Sequence, residues 1–353
     1  MRVTNKMLST NFLRDMRNNL GNMRDLQSQL TSGKEIRRPS DNPFKVARSM
    51  QLYSDIGANK QYNENINDTL NWLDTTDTAL DKGGKTLQRI RDLLVSAGNV
   101  AYGTEEKKAL KDEINQKVGE FSQILNTNFD GRYIFGGTKG TSKPVEALQD
   151  DKGNTHMVYR AKDGSYLDEK GEKLIIEDGK LKVDTAGNFV KDTNVNDDDK
   201  AKYKAEFDHL SEDLVVEISQ GVTMEYNVPS RDIMEFSEGK NLMDLLNDIT
   251  YNLSSTNPDD TKKLTGENLD DITKAIDNLL KLRSEVGAKQ NRMEAAKEQN
   301  SEENFNLTDI LSKNEDIDFT EKIMEYSMMQ TVYIASLQTS AKIIQPSLLD
   351  YLR

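Results

Sequence analysis

Heptad repeats near both ends constrain the fold of this chain more than any other feature of its sequence. Near the amino end, mostly apolar residues recur in steps of three and four, at Leu13, Met16, Leu20, Met23, Gln27 and Leu30. The carboxyl end has the same spacing, at Phe319, Ile323, Tyr326, Gln330, Tyr333 and Leu337. This spacing places the residues on one face of a helix. We therefore expect terminal helices that pair with each other or with neighbouring copies.

The two ends also carry opposite charge. Residues 1–38 contain eight Lys and Arg against three Asp and Glu, whereas residues 301–353 contain nine acids against four bases. Opposite charges favour packing of the two segments against each other. The same heptads also fit the core of an ordinary antiparallel bundle.

Further helices are predicted inside the chain. Pro39 and Pro43 exclude helical backbone from the loop at 37–43, where Asp41 and Asn42 offer N-caps. A helix is then expected at about 44–98, with a weak point at Gly83-Gly84. Apolar periodicity predicts further helices at 104–125, 241–253, 268–300 and 319–344.

Residues 131–236 have a different composition, typical of β structure. Short apolar runs such as Tyr133-Ile134-Phe135 alternate with Asp-Gly and similar turns. The predicted fold class is α+β, mainly α: a long helical bundle or coiled coil formed by the N- and C-terminal halves, with an inserted β-rich domain.

Five segments are predicted on this basis. They are an N-terminal coiled-coil helix at 1–40, helical core at 41–130 and 239–312, an inserted β-rich outer domain at 131–238, and a C-terminal coiled-coil helix at 313–353. We expect both terminal segments to be disordered in the monomer, because isolated helices are marginal until they pack.

Composition excludes several kinds of partner. The net charge is −13, which opposes nucleic-acid binding. The chain has no cysteine, so disulfides and thiolate chemistry are excluded. The longest uncharged run near the carboxyl end, 326–341, is shorter than the roughly 20 apolar residues of a membrane span. The amino end lacks the apolar core of a signal peptide. We expect no nucleic-acid binding, no membrane insertion and no cleaved signal.

Catalytic and metal-binding motifs are also missing. The two histidines, His156 and His209, are predicted to face solvent. Gly84-Lys85-Thr86 lacks the first glycine of a phosphate-binding loop. The stretch after Asp192 begins like a calcium loop but lacks its glycine and closing glutamate, so a solvated acidic loop is predicted. We expect no catalytic residue, no metal site and no cofactor.

Five sequence blocks resemble the flagellin superfamily, and some of them resemble its hook-associated form. Residues 32–43, SGKEIRRPSDNP, are similar to the motif S-G-K-R-I-x-R-P-S-D-D-P, with Glu35 and Asn42 as departures. Residues 125–137, LNTNFDGRYIFGG, resemble the N-x-x-x-x-G-x-Y-I-F-G-G block of the hook-associated protein 3 (FlgL) family. Residues 283–294 resemble R-x-x-x-G-A-x-x-N-R-L-E, and residues 311–318 resemble the turn L-S-x-x-E-D-x-D. The end of the chain, 335–352, is closer to the FlgL pattern than to the flagellin pattern.

The resemblance implies a non-catalytic, structural subunit that joins the hook of the bacterial flagellum to its filament. The implied partners are hook-associated protein 1 (FlgK), flagellin, an export chaperone of FlgN type on the C-terminal helix, and further copies of the chain in a ring. It also implies type III export without a cleaved signal, and an extracellular position at the hook–filament junction.

The residues expected to carry assembly lie in the terminal helices and in the loop at 37–43. They are Leu13, Met16, Leu20, Met23, Leu30, Arg37, Arg38, Pro39, Asp41, Pro43, Tyr326, Tyr333, Leu337, Ile344 and Leu348. Two alternatives stay open: flagellin, the filament subunit, and a secreted coiled-coil adhesin or effector whose β domain binds a surface ligand.

Overall fold

A computed structural model describes residues 5–36, 38–98, 104–184, 188–255 and 258–343. It is 66% helical, which confirms the predicted α+β, mainly α class. The helices are α1 (Asn5–Ser32), α2 (Pro43–Ala97), α3 (Thr104–Leu125), α4 (Asp197–Asp208), α5 (Ser230–Met234), α6 (Leu242–Ser254), α7 (Pro258–Thr265), α8 (Glu267–Glu315) and α9 (Phe319–Ile343). A 3-10 turn at His209–Ser211 follows α4.

The chain divides into two compact units. Residues 61–300 form one, and residues 1–60 together with 301–353 form the other. Helix α8 begins near its predicted start but continues to Glu315, well past the predicted end near residue 300. The stretch 301–315 contains neither glycine nor proline, so nothing in it terminates a helix. The five predicted segments stay a prediction.

The core of the unit at 61–300 follows the predicted heptad spacing of α2. Ile66, Leu73, Leu80, Leu87 and Leu94 are each no more than 3% exposed. They belong to one buried cluster with apolar residues of the other helices: Ile114, Val118, Phe121 and Leu125 of α3, and Ile272, Ile276, Leu279, Val286 and Met293 of α8. Burial of this continuous apolar surface stabilises the unit.

Polar residues on α2 and α8 pair in this unit. The Arg283 guanidinium donates to both Asp77 and Asp81, with Nε 2.7 Å from Asp77 Oδ1 and Nη1 2.6 Å from Asp81 Oδ1. Gln290 donates to Asp74 Oδ1 at 2.6 Å. Because each pair joins specific positions, the pairs specify the register of the two antiparallel helices.

The predicted weak point at Gly83-Gly84 does not interrupt α2. A Cβ atom on Gly83 would lie 3.2 Å from Cε2 of the buried Phe121 ring, whereas a Cβ on Gly84 would meet nothing within 4 Å. Gly83 therefore permits the close approach of α3, and Gly84 has no such role.

Replacing each glycine with alanine should have opposite effects. Gly84→Ala is expected to raise the free energy of unfolding by about 1 kcal/mol, because alanine is favoured over glycine inside helices. Gly83→Ala is expected to lower it, because the fully buried Phe121 ring must shift. Urea unfolding of the two purified variants measures both values. Equal stabilisation by both substitutions would show that the Phe121 contact does not restrict residue 83.

The strands lie between α3 and α6 and are short. They are β1 (Asn128–Phe129), β2 (Arg132–Tyr133), β3 (Val145–Gln149), β4 (Thr155–Arg160), β5 (Tyr166–Leu167), β6 (Ile176–Glu177), β7 (Lys180–Leu181), β8 (Val215–Ser219), β9 (Val222–Glu225), β10 (Glu235–Ser237) and β11 (Lys240–Asn241). Strands β3, β4 and β5 form an antiparallel sheet in that order, and the others form two-stranded hairpins. Strand β4 packs against α3 and α6. The predicted strand at 133–135 stops at Tyr133, and Ile134 and Phe135 are buried in the segment that follows.

The acidic stretch after Asn196 forms a helix, so the prediction of a solvated loop throughout 192–203 was wrong. Asp197, Asp198 and Asp199 occupy the first turn of α4, where negative charge is favoured by the helix dipole. Tyr203 and Phe207, four residues apart, are buried. The Phe207 ring lies edge-on to Tyr159, with the centroids 5.1 Å apart. This spacing was the sequence signal for the helix.

The prediction that both histidines face solvent was wrong for His156. Its side chain is buried, with Nε2 3.1 Å from Oδ2 of Asp150 and the ring against Phe189. Burial alone would raise the pKa of Asp150, but hydrogen bonds from His156 and Asn154 outweigh it and lower that pKa to about 2. His209 is exposed, and its Nδ1 lies 2.9 Å from Oε2 of Glu212.

Candidate assembly site

Helices α1 and α9 pack against each other in an antiparallel arrangement within the unit at 1–60 and 301–353. At one end of the pair, Gly33 lies against the Phe319 ring. Further along, Met16 of α1 lines a cleft with Val332 and Ser336 of α9. The end of α1 therefore meets the beginning of α9, and the chain directions of the two helices are opposed.

Each helix of this pair has one shielded stripe of side chains. The stripe of α1 comprises Phe12, Met16, Asn19, Met23, Leu26 and Leu30, and that of α9 comprises Lys322, Tyr326, Met329, Tyr333, Ser336 and Ser340. Both advance in alternating steps of three and four, as in a coiled coil. Leu26, 9% exposed, is the most buried side chain of α1 in the described ranges.

The residues predicted for assembly fall into three groups in the structure. Met16, Met23, Leu30, Tyr326 and Tyr333 are partly buried. Exposed residues are Leu13, Leu20 and Leu337 in the helices and Arg38, Pro39, Asp41 and Pro43 in and beside the loop. Arg37, Ile344 and Leu348 lie outside the described residues.

A second apolar stripe stays exposed because two helices can shield only one stripe each. On α9 it includes Ile323, Met324, Met328, Val332, Ile334 and Leu337, each at least 45% exposed. An apolar patch of this kind indicates an interaction surface. The sequence prediction missed Phe12, Leu26 and Met329, although they fit the same periodicity as the residues that it named.

The loop between α1 and α2 is ordered by its own polar groups. Gly33 has a positive φ of 73°, which ends α1. The Asp41 carboxylate accepts a hydrogen bond from the Arg38 amide at 2.9 Å. Oδ1 of Asn42 accepts from the Lys45 amide at 3.1 Å, so Asn42 caps α2 and Pro43 is its first residue. The structure agrees with the prediction for the Asn42 cap, but Asp41 does not cap α2, and Pro43, expected in the non-helical loop, is the first residue of the helix.

Lys34, Tyr53 and Glu315, which we call the Lys34 cluster, connect this loop to the end of α8. Nζ of Lys34 donates to the Tyr53 hydroxyl at 2.6 Å and also pairs with Glu315. The Tyr53 hydroxyl donates to Oε2 of Glu315 at 2.9 Å. The carboxylate of Glu315 thus receives two donors from distant parts of the sequence.

Backbone hydrogen bonds surround the Lys34 cluster. The Glu35 amide donates to the Glu315 carbonyl at 2.6 Å, and the Ile317 amide donates to the Gly33 carbonyl at 3.1 Å. Asn314 Nδ2 donates to Ser49 Oγ at 2.8 Å. The sequence blocks 32–43 and 311–318 therefore meet here and determine where α1 ends and α9 begins.

The charges of the Lys34 cluster stabilise each other. The hydrogen bond from Lys34 to Glu315 raises the pKa of the Lys34 amine. Desolvation alone would raise the pKa of Glu315, but hydrogen bonds from Lys34, Ser49 and Tyr53 outweigh it and lower that pKa. A carboxyl whose pKa is lower in the folded chain stabilises the fold above its unfolded pKa. That contribution is lost as the pH falls through the folded value.

Replacing Glu315 with glutamine should loosen this region. We expect roughly tenfold faster hydrogen exchange at the Glu35 and Ile317 amides at neutral pH, because a hydrogen-bonded charge is removed. The difference from the native chain should shrink as the pH falls and Glu315 itself becomes protonated. Asp309→Asn is the control, since its ion pair with Lys313 is exposed. Unchanged exchange in Glu315→Gln would contradict a structural role for the cluster.

The described residues offer no geometry for metal chemistry or for crossing a membrane. Among them, no three His, Asp or Glu side chains are grouped to hold a metal ion. Within the same ranges, no helix combines the length and apolarity needed to cross a bilayer.

Comparison with known proteins shows the family to which the chain belongs. The sequence model of the bacterial flagellin N-terminal helical region matches residues 3–140, and that of the flagellin C-terminal helical region matches residues 269–352. The chain belongs to the flagellin superfamily. Proteins of this family are structural components of the flagellum, so this chain is a structural protein of that extracellular organelle.

The chain spans half or less of the length of two flagellins that it matches. Flagellin of Clostridium tyrobutyricum is 30% identical over 140 residues, 39% of this chain and 37% of that protein. Flagellin of Bacillus subtilis is 29% identical over 154 residues, 42% of this chain and 50% of that protein.

The fold of the chain is shared with a solved flagellar protein. The chain shares this fold with a protein from Vibrio parahaemolyticus described as flagellar hook-associated, with a TM-score of 0.56 and 17% identity over 78% of this chain and 100% of that one. The two family models confirm the resemblance to the flagellin superfamily, and the shared fold agrees with it.

Proposed function

We propose that this chain is the junction subunit of FlgL type that connects the flagellar hook to its filament. The observation that carries the proposal is the antiparallel α1–α9 pair, which shields one stripe of each helix and exposes a second apolar stripe. On this stripe, Ile323, Met328 and Val332 are 53%, 65% and 48% exposed. An apolar surface of this kind needs a partner to cover it.

Two partners would cover the exposed stripe in succession. Before export, an export chaperone of FlgN type would cover α9 and prevent aggregation. After export through the type III channel, neighbouring copies would cover the same stripe and form a ring with α1 and α9 in its inner layer. Neighbouring copies would stabilise the α1–α9 pair at that step, because isolated helices are marginal without partners. The lack of cysteine is compatible with passage of an unfolded chain.

The ring would sit between two other flagellar proteins. Hook-associated protein 1 (FlgK) would lie below it and flagellin above it. The strand-rich segment at 131–238 would face outward, where surface loops tolerate variation. The loop residues Arg38, Pro39 and Asp41 are exposed and available for a subunit contact.

The second candidate function is flagellin itself, the filament subunit. It is favoured by the names of the relatives in Clostridium tyrobutyricum and Bacillus subtilis. The block at 125–137 and the ending at 335–352 favour the junction type instead. Purified flagellin polymerises into long filaments, whereas a junction subunit should not.

Deletion of the gene in its host tests the proposal. We expect hooks without filaments, flagellin released into the medium and no swimming, with filaments restored by the intact gene on a plasmid. Normal filaments in the deletion strain would exclude the junction role. Restoration by a chain that lacks residues 1–40 would favour a secreted adhesin or effector.

A further inference from the structure

A groove in the unit at 61–300 lies outside the assembly surfaces of α1, α9 and the loop at 37–43. It lies between the β8–β9 hairpin and α8, and we call it the β9 groove. Its lining consists of Val215, Thr223, Met224, Glu225, Ala288, Lys289 and Arg292. Val215 is 57% exposed, so the groove presents apolar surface to solvent.

The β9 groove is held open by hydrogen bonds to the hairpin. Asn300 Nδ2 donates to the Ile218 carbonyl at 2.7 Å in a buried position. Asn65 Nδ2 donates to the Glu217 carbonyl at 3.3 Å. The hairpin is therefore attached to both α2 and α8, and the groove beside it is formed before any partner binds.

The groove also carries cations without carboxylate partners. Lys289 and Arg292 are three residues apart on α8. In the described ranges, neither forms an ion pair with Asp or Glu, and Lys289 donates to the backbone carbonyl of Asn227 at 3.1 Å. With Glu225 on the opposite side, the lining has a net positive charge.

A surface of complementary chemistry lies in the unit at 1–60 and 301–353. Phe305 of α8 is 76% exposed. Glu302 and Asp309, three residues before it and four after it, lie on the same face of the helix and are exposed. Glu302 forms no ion pair within the described part of the chain. We call these three residues the Phe305 stripe.

We propose that the β9 groove of one copy binds the Phe305 stripe of a second copy. The Phe305 ring would cover the exposed Val215 side chain, and the Glu302 carboxylate would pair with Arg292 and Lys289. Burial of the ring provides affinity, and the charges specify the orientation.

The geometry of this contact determines the kind of assembly. Because the groove and the stripe are different surfaces, the contact joins copies head to tail, which produces a closed ring or an open helix. The inference rests on the proposed junction function, for which it identifies the contact between neighbouring copies in the ring.

Charge reversal with rescue tests the contact in cells. Arg292→Glu and Glu302→Arg are each expected to reduce filaments per cell about tenfold, because like charges would face each other across the contact. The double variant should restore filaments to near the native number. Lys281→Glu is the matched control: it reverses an exposed charge on α8 outside the groove and should leave filaments unchanged.

The outcomes separate this inference from the function itself. If the gene deletion abolishes filaments but both single reversals keep them, the junction role stands and the groove contact is excluded. If the single variants lose filaments and the double variant does not recover them, the proposed pairing is also excluded.

Crosslinking provides direct evidence of contact. Because the chain has no cysteine, Ala288→Cys in the groove and Thr308→Cys beside Phe305 introduce the only thiols. In isolated flagella of the double variant, a short bismaleimide should link successive copies into a ladder. Ser284→Cys, one turn from the groove, combined with Thr308→Cys is the control. A ladder absent from the first pair, or equally strong in both pairs, would overturn the proposal.

Discussion

Replacing Leu26 with aspartate is expected to leave hooks without filaments. Leu26 is the most buried side chain of α1 in the part of the chain described, and it lies in the stripe shielded by the helix pair. An ionised carboxylate there would lose its hydration without gaining a partner, at a cost of several kcal/mol. Since the α1–α9 pair forms the proposed inner layer of the ring, its loss should prevent assembly.

Asn11→Asp is the matched control for Leu26→Asp. It introduces the same charge on the same helix, but at an exposed position. Electron microscopy of flagella and swimming in soft agar compare the two variants in the deletion strain. Filaments of normal number with Leu26→Asp would show that assembly does not depend on this stripe.

Replacing Phe121 with alanine should cause the largest loss of stability. Phe121 lies on α3, and its fully buried ring packs against Gly83 of α2. Removal of a buried phenylalanine ring costs about 3–5 kcal/mol, because contacts are lost and a cavity remains. Urea unfolding of the purified chain measures the change in the free energy of unfolding.

Phe44→Ala makes the same substitution at a side chain that is 88% exposed. We expect a change within about 0.5 kcal/mol, as for most surface substitutions. A comparable loss in both variants would mean that burial at Phe121 does not determine its contribution.

The helical content of this protein could be predicted because its causes are local. The steps of three and four, Gly33, Asn42 and Pro43 determine where α1 ends and α2 begins, and the structure agrees. Helix α4 was missed because its charged first turn was compared with a calcium loop, although Tyr203 and Phe207 have helical spacing.

Contacts between distant residues could not be predicted. His156 is buried because a turn brings Asp150 to it, and no sequence spacing indicates that geometry. Lys34 and Glu315 lie at opposite ends of the sequence, and they meet only because α1, α2, α8 and α9 pack in one unit. The β9 groove likewise requires a hairpin placed beside α8.

The sequence by itself determined that both ends form helices with an apolar stripe, since helical periodicity depends only on neighbouring residues. It could not determine which side chains of each helix are shielded. The structure shields Phe12 and Leu26 and exposes Leu13 and Leu20, although both sets have heptad spacing. That choice depends on the direction and position of the partner helix, and only tertiary packing specifies these.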